Sequence, residues 1–195
     1  MANTRPETRS KVLRTAAALF RRQGYHGTGL NQLLSESKAP KGSLYFHFPG
    51  GKEQLAAEAV TLAAAELGAQ MREALEHATD PATAIVTVGN LFAGQLAESG
   101  YRDGCPIATV AMETSGDNEQ IRESCSNAYG AWLAGLTLRI HGWGVPQDEA
   151  APLAELVLSG IQGALLLAKV QQDCTPIHQV TARLGTLVAA SVRAA

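Results

Sequence analysis

Residues 28–52 read TGLNQLLSESKAPKGSLYFHFPGGK, and the fold turns on how this stretch is punctuated. Thr28, just after the Gly27 break, can cap a short helix that runs through Leu30, Leu33 and Leu34 and fades near Ser37. Pro40 suits the first turn of a second short helix, Lys41 to Phe46, which Phe48-Pro49-Gly50-Gly51 stops almost at once. Two short helices joined by a turn of three or four residues can form a helix-turn-helix. In that motif the first helix supports the second, whose amino-terminal residues enter the major groove of DNA.

Working outward, Gly42 would let the second helix approach base edges closely, and Ser43 could reach a base or backbone oxygen. Tyr45, His47 and Lys52 can donate to flanking phosphates, which position a protein without reading sequence. Thr28 and Lys41 complete the expected DNA contacts, while Leu44 should turn inward onto Leu33, Leu34 and Phe20. Upstream, Thr4 with Glu7 forms a capping-box pattern for a helix from about Arg5 to Gln23, stopped by Gly24. A first domain of residues 1–50 is therefore expected to be a three-helix DNA-binding head.

Charge points the same way. The 195 residues carry a formal net charge of only −2, yet residues 1–55 hold nine Lys/Arg against three Asp/Glu and the remainder seven against fifteen. A basic third joined to an acidic body suits a polyanion-binding module whose body is held off the phosphates. Alanine (33) and leucine (23) outnumber valine and isoleucine (17 together), which favours an all-α chain.

The rest, residues 51–195, reads as six more helices. Leu55, Ala59, Leu62, Leu67, Met71 and Leu75 keep one apolar face for over five turns, to about Thr79. Asp80-Pro81 caps a fifth helix reaching toward Gly100, and Pro106 opens a short sixth ending near Ser115-Gly116. Asp117 with Gln120 should cap the seventh, the eighth should run from about Gln147 to Gln172, and Thr175-Pro176 starts the ninth.

Gly-Tyr-His-Gly-Thr (24–28), Pro-Lys-Gly-Ser-Leu-Tyr-Phe-His-Phe (40–48) and Gly-Lys-Glu-Gln-Leu (51–55) together resemble the TetR family of transcriptional regulators, over about Arg9 to Leu55. The resemblance implies a nine-helix architecture, a helix-turn-helix head on a helical ligand-binding and dimerisation body. Two positions depart from the family pattern: Lys38 where its turn usually has glycine, and Pro40 where a capping serine or threonine is common. Asp103-Gly104-Cys105-Pro106-Ile107-Ala108, with residues 39–43 and 49–52, resembles the LmrA/YxaF branch. That branch implies a repressor released from its operator by a hydrophobic or aromatic small molecule, controlling an efflux pump or a modifying enzyme.

A sensor body needs a concave, mainly apolar pocket with few polar orienters. Candidates on helices five to eight are Phe92, Ile107, Val110, Met112, Tyr129, Trp132, Leu133, Leu136 and Leu166, with Gln95, Glu113 and Gln162 as orienters. Each of these residue types is more often plain core than pocket lining. In a chain with only 5% aromatic residues, Trp132 and Phe92 stand out as stacking surfaces. Helices eight and nine are apolar around much of their circumference and carry Ser159, Gly160, Gly163, Gly185 and Ala189, which would admit close approach in a four-helix homodimer interface.

Other classes find little support. Gly27-Thr28-Gly29 is an incomplete dinucleotide fingerprint with Gln32 at the third glycine position, and no phosphate loop, nucleophile elbow or zinc-protease motif occurs. The five histidines and three cysteines are scattered, so no metal, cofactor or disulfide framework is expected. The polar amino terminus lacks a signal core, which predicts a cytoplasmic protein, and Glu155, Gln162 and Lys169 interrupt the greasiest stretch, which predicts a core or interface helix and no membrane partner. An activator, a regulator answering another signal, and a helical enzyme or carrier that never touches DNA are the alternatives.

Overall fold

The computed structural model describes residues 5–40, 42–114 and 116–192. These form nine helices and no strand: α1 Arg5–Gln23, α2 Leu30–Ser37, α3 Ser43–His47, α4 Gly51–His77, α5 Pro81–Glu98, α6 Ala108–Thr114, α7 Glu119–Gly142, α8 Gln147–Gln171 and α9 Thr175–Ala190. The all-α, nine-helix expectation is met. The expected Thr4 cap, Lys41 and Ser115 lie outside the described residues.

Local chemistry explains most boundaries. Gly24 ends α1 at φ +79°, a backbone state that favours glycine, and its N–H donates to the Phe20 carbonyl at 3.0 Å. Asp80 caps α5 by accepting from the Thr83 N–H at 2.9 Å, with Pro81 in the first turn. Lys38 adopts φ 53°, ψ 33° at the end of α2, so the turn keeps its left-handed residue although glycine is absent. That conformation costs a side chain about 1–2 kcal/mol.

Three capping expectations are corrected. Thr28 does not cap α2: its hydroxyl donates back to the Gly24 carbonyl at 2.7 Å, and Gly29 takes the N-cap position without a side-chain bond. Asn118 caps α7 in place of Asp117, its Oδ1 accepting from the Ile121 N–H at 2.9 Å. Pro40 stays outside α3, where its carbonyl accepts both the Ser43 N–H (2.9 Å) and the Ser43 hydroxyl (2.7 Å), so the helix starts at Ser43.

The chain divides into two compact units. Met1–Glu66 and Cys105–Ala128 make the first, and Leu67–Gly104 and Tyr129–Ala195 the second, so α4 and α7 each run from one unit into the other. The first unit buries Val12, Ala16, Leu19, Phe20, Leu33, Leu44, Phe48 and Leu55, together with Ile107, Val110 and Ile121. In the second, α9 packs on α5 and α8. Gly89 and Gly185 permit this: a Cβ on Gly89 would sit 2.5 Å from Thr181 Cγ2, and one on Gly185 would sit 2.8 Å from the Ala82 carbonyl oxygen. Gly160 likewise faces Leu184 of α9. Two glycines expected to serve a dimer interface are thus spent inside the chain. α8 is long and apolar enough to cross a membrane, but Ala150, Ala154, Val157, Ile161, Ala164 and Ala168 bury one side of it.

Candidate nucleic-acid interface and effector core

The α2–turn–α3 segment sorts its side chains by burial. Leu33, Leu44 and Phe48 are buried, which anchors α3 from both ends. Between the anchors, Tyr45 and Phe46 are each 62% exposed, and Gly42 is exposed with open space where a Cβ would project. Phe46 is not among the contacts expected from the sequence; the short helix, with Leu44 and Phe48 already inward, turns it out. His47 is half-buried, its ring edge-on to Phe46 at 5.0 Å between centroids.

Other expected DNA contacts are already engaged within the protein. Thr28 is fully buried, and its hydroxyl is committed to the α1–α2 turn. In this arrangement the side chain braces the α1–α2 turn. Ser43 is half-buried and bonded to Pro40. The Lys52 ammonium lies 4.3 Å from the Tyr25 ring centroid, a cation–π distance. Burial holds its pKa below the ordinary lysine value, while the Glu113 charge works the other way. Arg9 pairs with Glu58 at 2.5 Å, and its guanidinium lies 4.9 Å from the Phe48 ring centroid, bracing α1 in the first unit.

In the second unit the expected effector residues Phe92, Tyr129 and Trp132 come together. Phe92 and Trp132 are buried and meet edge to face at 6.3 Å, and Tyr129 meets Trp132 at 5.9 Å and 87°. Gly68 leaves room for the indole, since a Cβ there would lie 2.8 Å from Trp132 Nε1. Leu136 is buried and Leu133 half-buried on the same helix. Gln95 donates to Gln70 Oε1 at 3.1 Å. Gln162 is half-buried, and its Nε2 is shut from solvent with no acceptor in reach. An amide nitrogen so placed carries a desolvation cost that a bound acceptor would relieve.

The remaining candidates lie elsewhere. Leu166 is 55% exposed on α8. In the first unit Ile107 and Val110 are fully buried, Met112 is 81% exposed, and Glu113 reaches back to the α1–α2 turn, where its Oε2 accepts the His26 N–H at 2.7 Å. A cleft of about 420 Å³ opens in the second unit between α4 (Gln70, Glu73, Ala74, His77) and α5 (Thr83, Thr87, Leu91). None of the expected effector residues lines it. Among the described residues no group of His, Cys, Asp and Glu could hold a metal ion.

Residues 12–59 match the model of bacterial regulatory proteins of the tetR family, and residues 81–183 match that of the LmrA/YxaF-like transcriptional regulator C-terminal domain. The chain is 37% identical to the HTH-type transcriptional regulator LmrA of Bacillus subtilis, covering 93% of this chain and 97% of that one. It is 36% identical to the HTH-type transcriptional regulator YxaF of the same organism, over 95% and 97%. A TetR transcriptional regulator from Chloroflexus aurantiacus superposes with a TM-score of 0.79 at 27% identity, over 98% of each chain. The head, the body and the whole-chain relatives agree: this chain belongs to the TetR family, with an LmrA/YxaF-like body, and is a DNA-binding transcriptional regulator and not an enzyme.

Proposed function

We propose that the protein is a repressor that binds a palindromic operator as a homodimer in the cytoplasm and is released by a hydrophobic or aromatic small molecule. The functional division is a DNA-binding head of residues 1–50 and a ligand-binding and dimerisation body of residues 51–195. The observation that carries the dimer is an apolar stripe left uncovered on one face of α8. Leu156, Leu166, Leu167 and Val170 are between 47% and 75% exposed, with exposed Ser159 and Gly163 in the same rows. Leu187 of α9 adds a further exposed apolar side chain. Two copies joined through α8 and α9 form a self-complementary contact and would set two α3 helices about 34–36 Å apart, one turn of DNA. The effector site is built on the Phe92–Trp132–Tyr129 cluster, where ring faces suit a planar apolar ligand, with Gln162 supplying a donor.

The test is anisotropy on the intergenic DNA beside the gene, scanned in salt. A dimer that neutralises about eight phosphates gives a slope of log K against log[salt] near −7. Binding that ignores salt, or that survives Gly42→Asp with Tyr45→Ala, refutes the operator half. A panel of planar aromatic compounds that neither frees DNA nor alters tryptophan fluorescence refutes the effector half.

A further inference from the structure

We propose that Glu113 of α6 is a positioning residue that ties the DNA-reading head to the placement of α6. The inference rests on the reading of the head as an operator binder and adds a residue that holds the α1–α2 turn of that head in place.

The starting point is a residue with no Cβ. Gly24 ends α1, and a Cβ there would overlap the Glu113 carboxylate. That carboxylate accepts the main-chain N–H of His26, two residues on, at 2.7 Å. The same charge acts on Lys52, whose ammonium sits over the Tyr25 ring. One carboxylate therefore fastens the α1–α2 turn and bears on the first turn of α4. The turn in question is closed by Thr28 onto Gly24 and leads directly into α2. Displacing it moves the support on which α3 is laid.

The other end of the fastening is equally fixed. Ile107 and Val110 are fully buried, and Thr114 is buried with its hydroxyl bonded to the Val110 carbonyl at 2.8 Å. α6 cannot slide in its seat without carrying Glu113 with it. In chain order α6 lies between α5, which belongs to the second unit, and α7, which runs on into that unit.

Electrostatics alone predicts the opposite of this proposal. Removing a negative charge beside Lys52 should tighten binding to any DNA. A lost positioning contact should instead weaken operator binding selectively. The experiment measures affinity of the full-length dimer for its operator and for a random duplex of equal length, at one salt concentration. It compares the wild type with Glu113→Ala, Glu113→Gln and Gly24→Ala, and follows hydrogen exchange of the His26 amide. The expected result is an operator-to-random affinity ratio reduced about tenfold in Glu113→Ala. Gly24→Ala should do the same, the ratio should be largely restored in Glu113→Gln, which keeps an acceptor oxygen, and the His26 amide should exchange faster in Glu113→Ala. An unchanged ratio, or equal weakening on both duplexes, overturns the assignment. If the wild type itself shows no salt-dependent DNA binding, the operator reading fails instead, which the His26 exchange result separates from a failed latch.

Discussion

Two glycines on α5 should respond to alanine with opposite signs. A Cβ on Gly89 would lie 2.5 Å from Thr181 Cγ2, 2.8 Å from its Oγ1 and 2.9 Å from its Cβ. Thr181 has nowhere to swing, being fully buried with its hydroxyl bonded to the Ile177 carbonyl at 2.8 Å. Gly89→Ala therefore forces α5 and α9 apart. With three atoms closer than 3.0 Å, overpacking here falls in the upper part of the usual range, about 2–3 kcal/mol, and about 1 kcal/mol returns from the better helix propensity of alanine. A net loss of about 1–2 kcal/mol lowers Tm by roughly 2–8 °C in a chain of this size. Gly94 is exposed on the same helix and has no neighbour where its Cβ would go, so Gly94→Ala should gain up to about 1 kcal/mol. Thermal and urea unfolding at one fixed protomer concentration measures both, because the proposed dimerisation would make Tm concentration-dependent. The double variant Gly89→Ala, Thr181→Ala removes the two nearest obstructing atoms, Cγ2 and Oγ1, and should recover about 1 kcal/mol relative to the sum of the single changes. If Gly89→Ala is as stable as the wild type, the close α5–α9 approach is wrong.

Three further outcomes follow from the same packing. With Trp143→Phe removing the other indole, addition of a planar aromatic compound that frees DNA should change Trp132 fluorescence, and Trp132→Ala should blunt the release; a responsive Trp132→Ala protein would place the effector elsewhere. Leu166→Lys with Val170→Lys should shift sedimentation toward monomer while helicity by circular dichroism stays unchanged; an intact dimer would exclude the α8 face. Burial, and secondarily the neighbouring Cys105, pushes the Cys125 thiol up to about 11 from its ordinary 9.0. The unfolded chain therefore gives up this proton first, so the thiol's contribution to stability is complete below about pH 9 and lost as pH rises toward about 11. Cys125→Ala should flatten urea-unfolding stability over that window, and an unchanged slope would count against the buried thiol.

How far the fold was legible depended on the range of the interactions that decide it. Asp80-Pro81 announces the start of α5 because capping and the first-turn proline act within three residues. Leu44 could be placed inward because one helical turn fixes its neighbours. Thr28 was misread for a local reason: its hydroxyl can cap forward or bond backward, and both choices are open within four residues. Asn118 and Asp117 are adjacent and equally competent caps. α6 has only seven residues, two turns, so periodicity cannot say that Val110 faces inward and Met112 outward. α8 is apolar on nearly every side, so the pattern could not decide which of its small residues meet α9 and which remain outside. Glu113 and His26 are 87 positions apart, beyond any local signal.

The head shows a related economy. Of the polar side chains expected to meet DNA, Thr28 is bonded to Gly24, Ser43 to Pro40, and Lys52 lies over Tyr25. Each would have to leave a partner to contact a phosphate, and the energy lost would offset much of what the new contact supplied. The most exposed side chains on α3 are Tyr45 and Phe46, both aromatic, with the uncrowded Gly42 at the amino-terminal end. An interface of this composition would grip the backbone through a few donors and meet the groove with apolar edges, for which the thymine methyl is the natural counterpart. Phe46→Ala should therefore weaken operator binding most where the site carries thymine, measured by anisotropy on operators with thymine replaced by uracil. If wild type and Phe46→Ala lose the same affinity on that replacement, the ring does not read the methyl group.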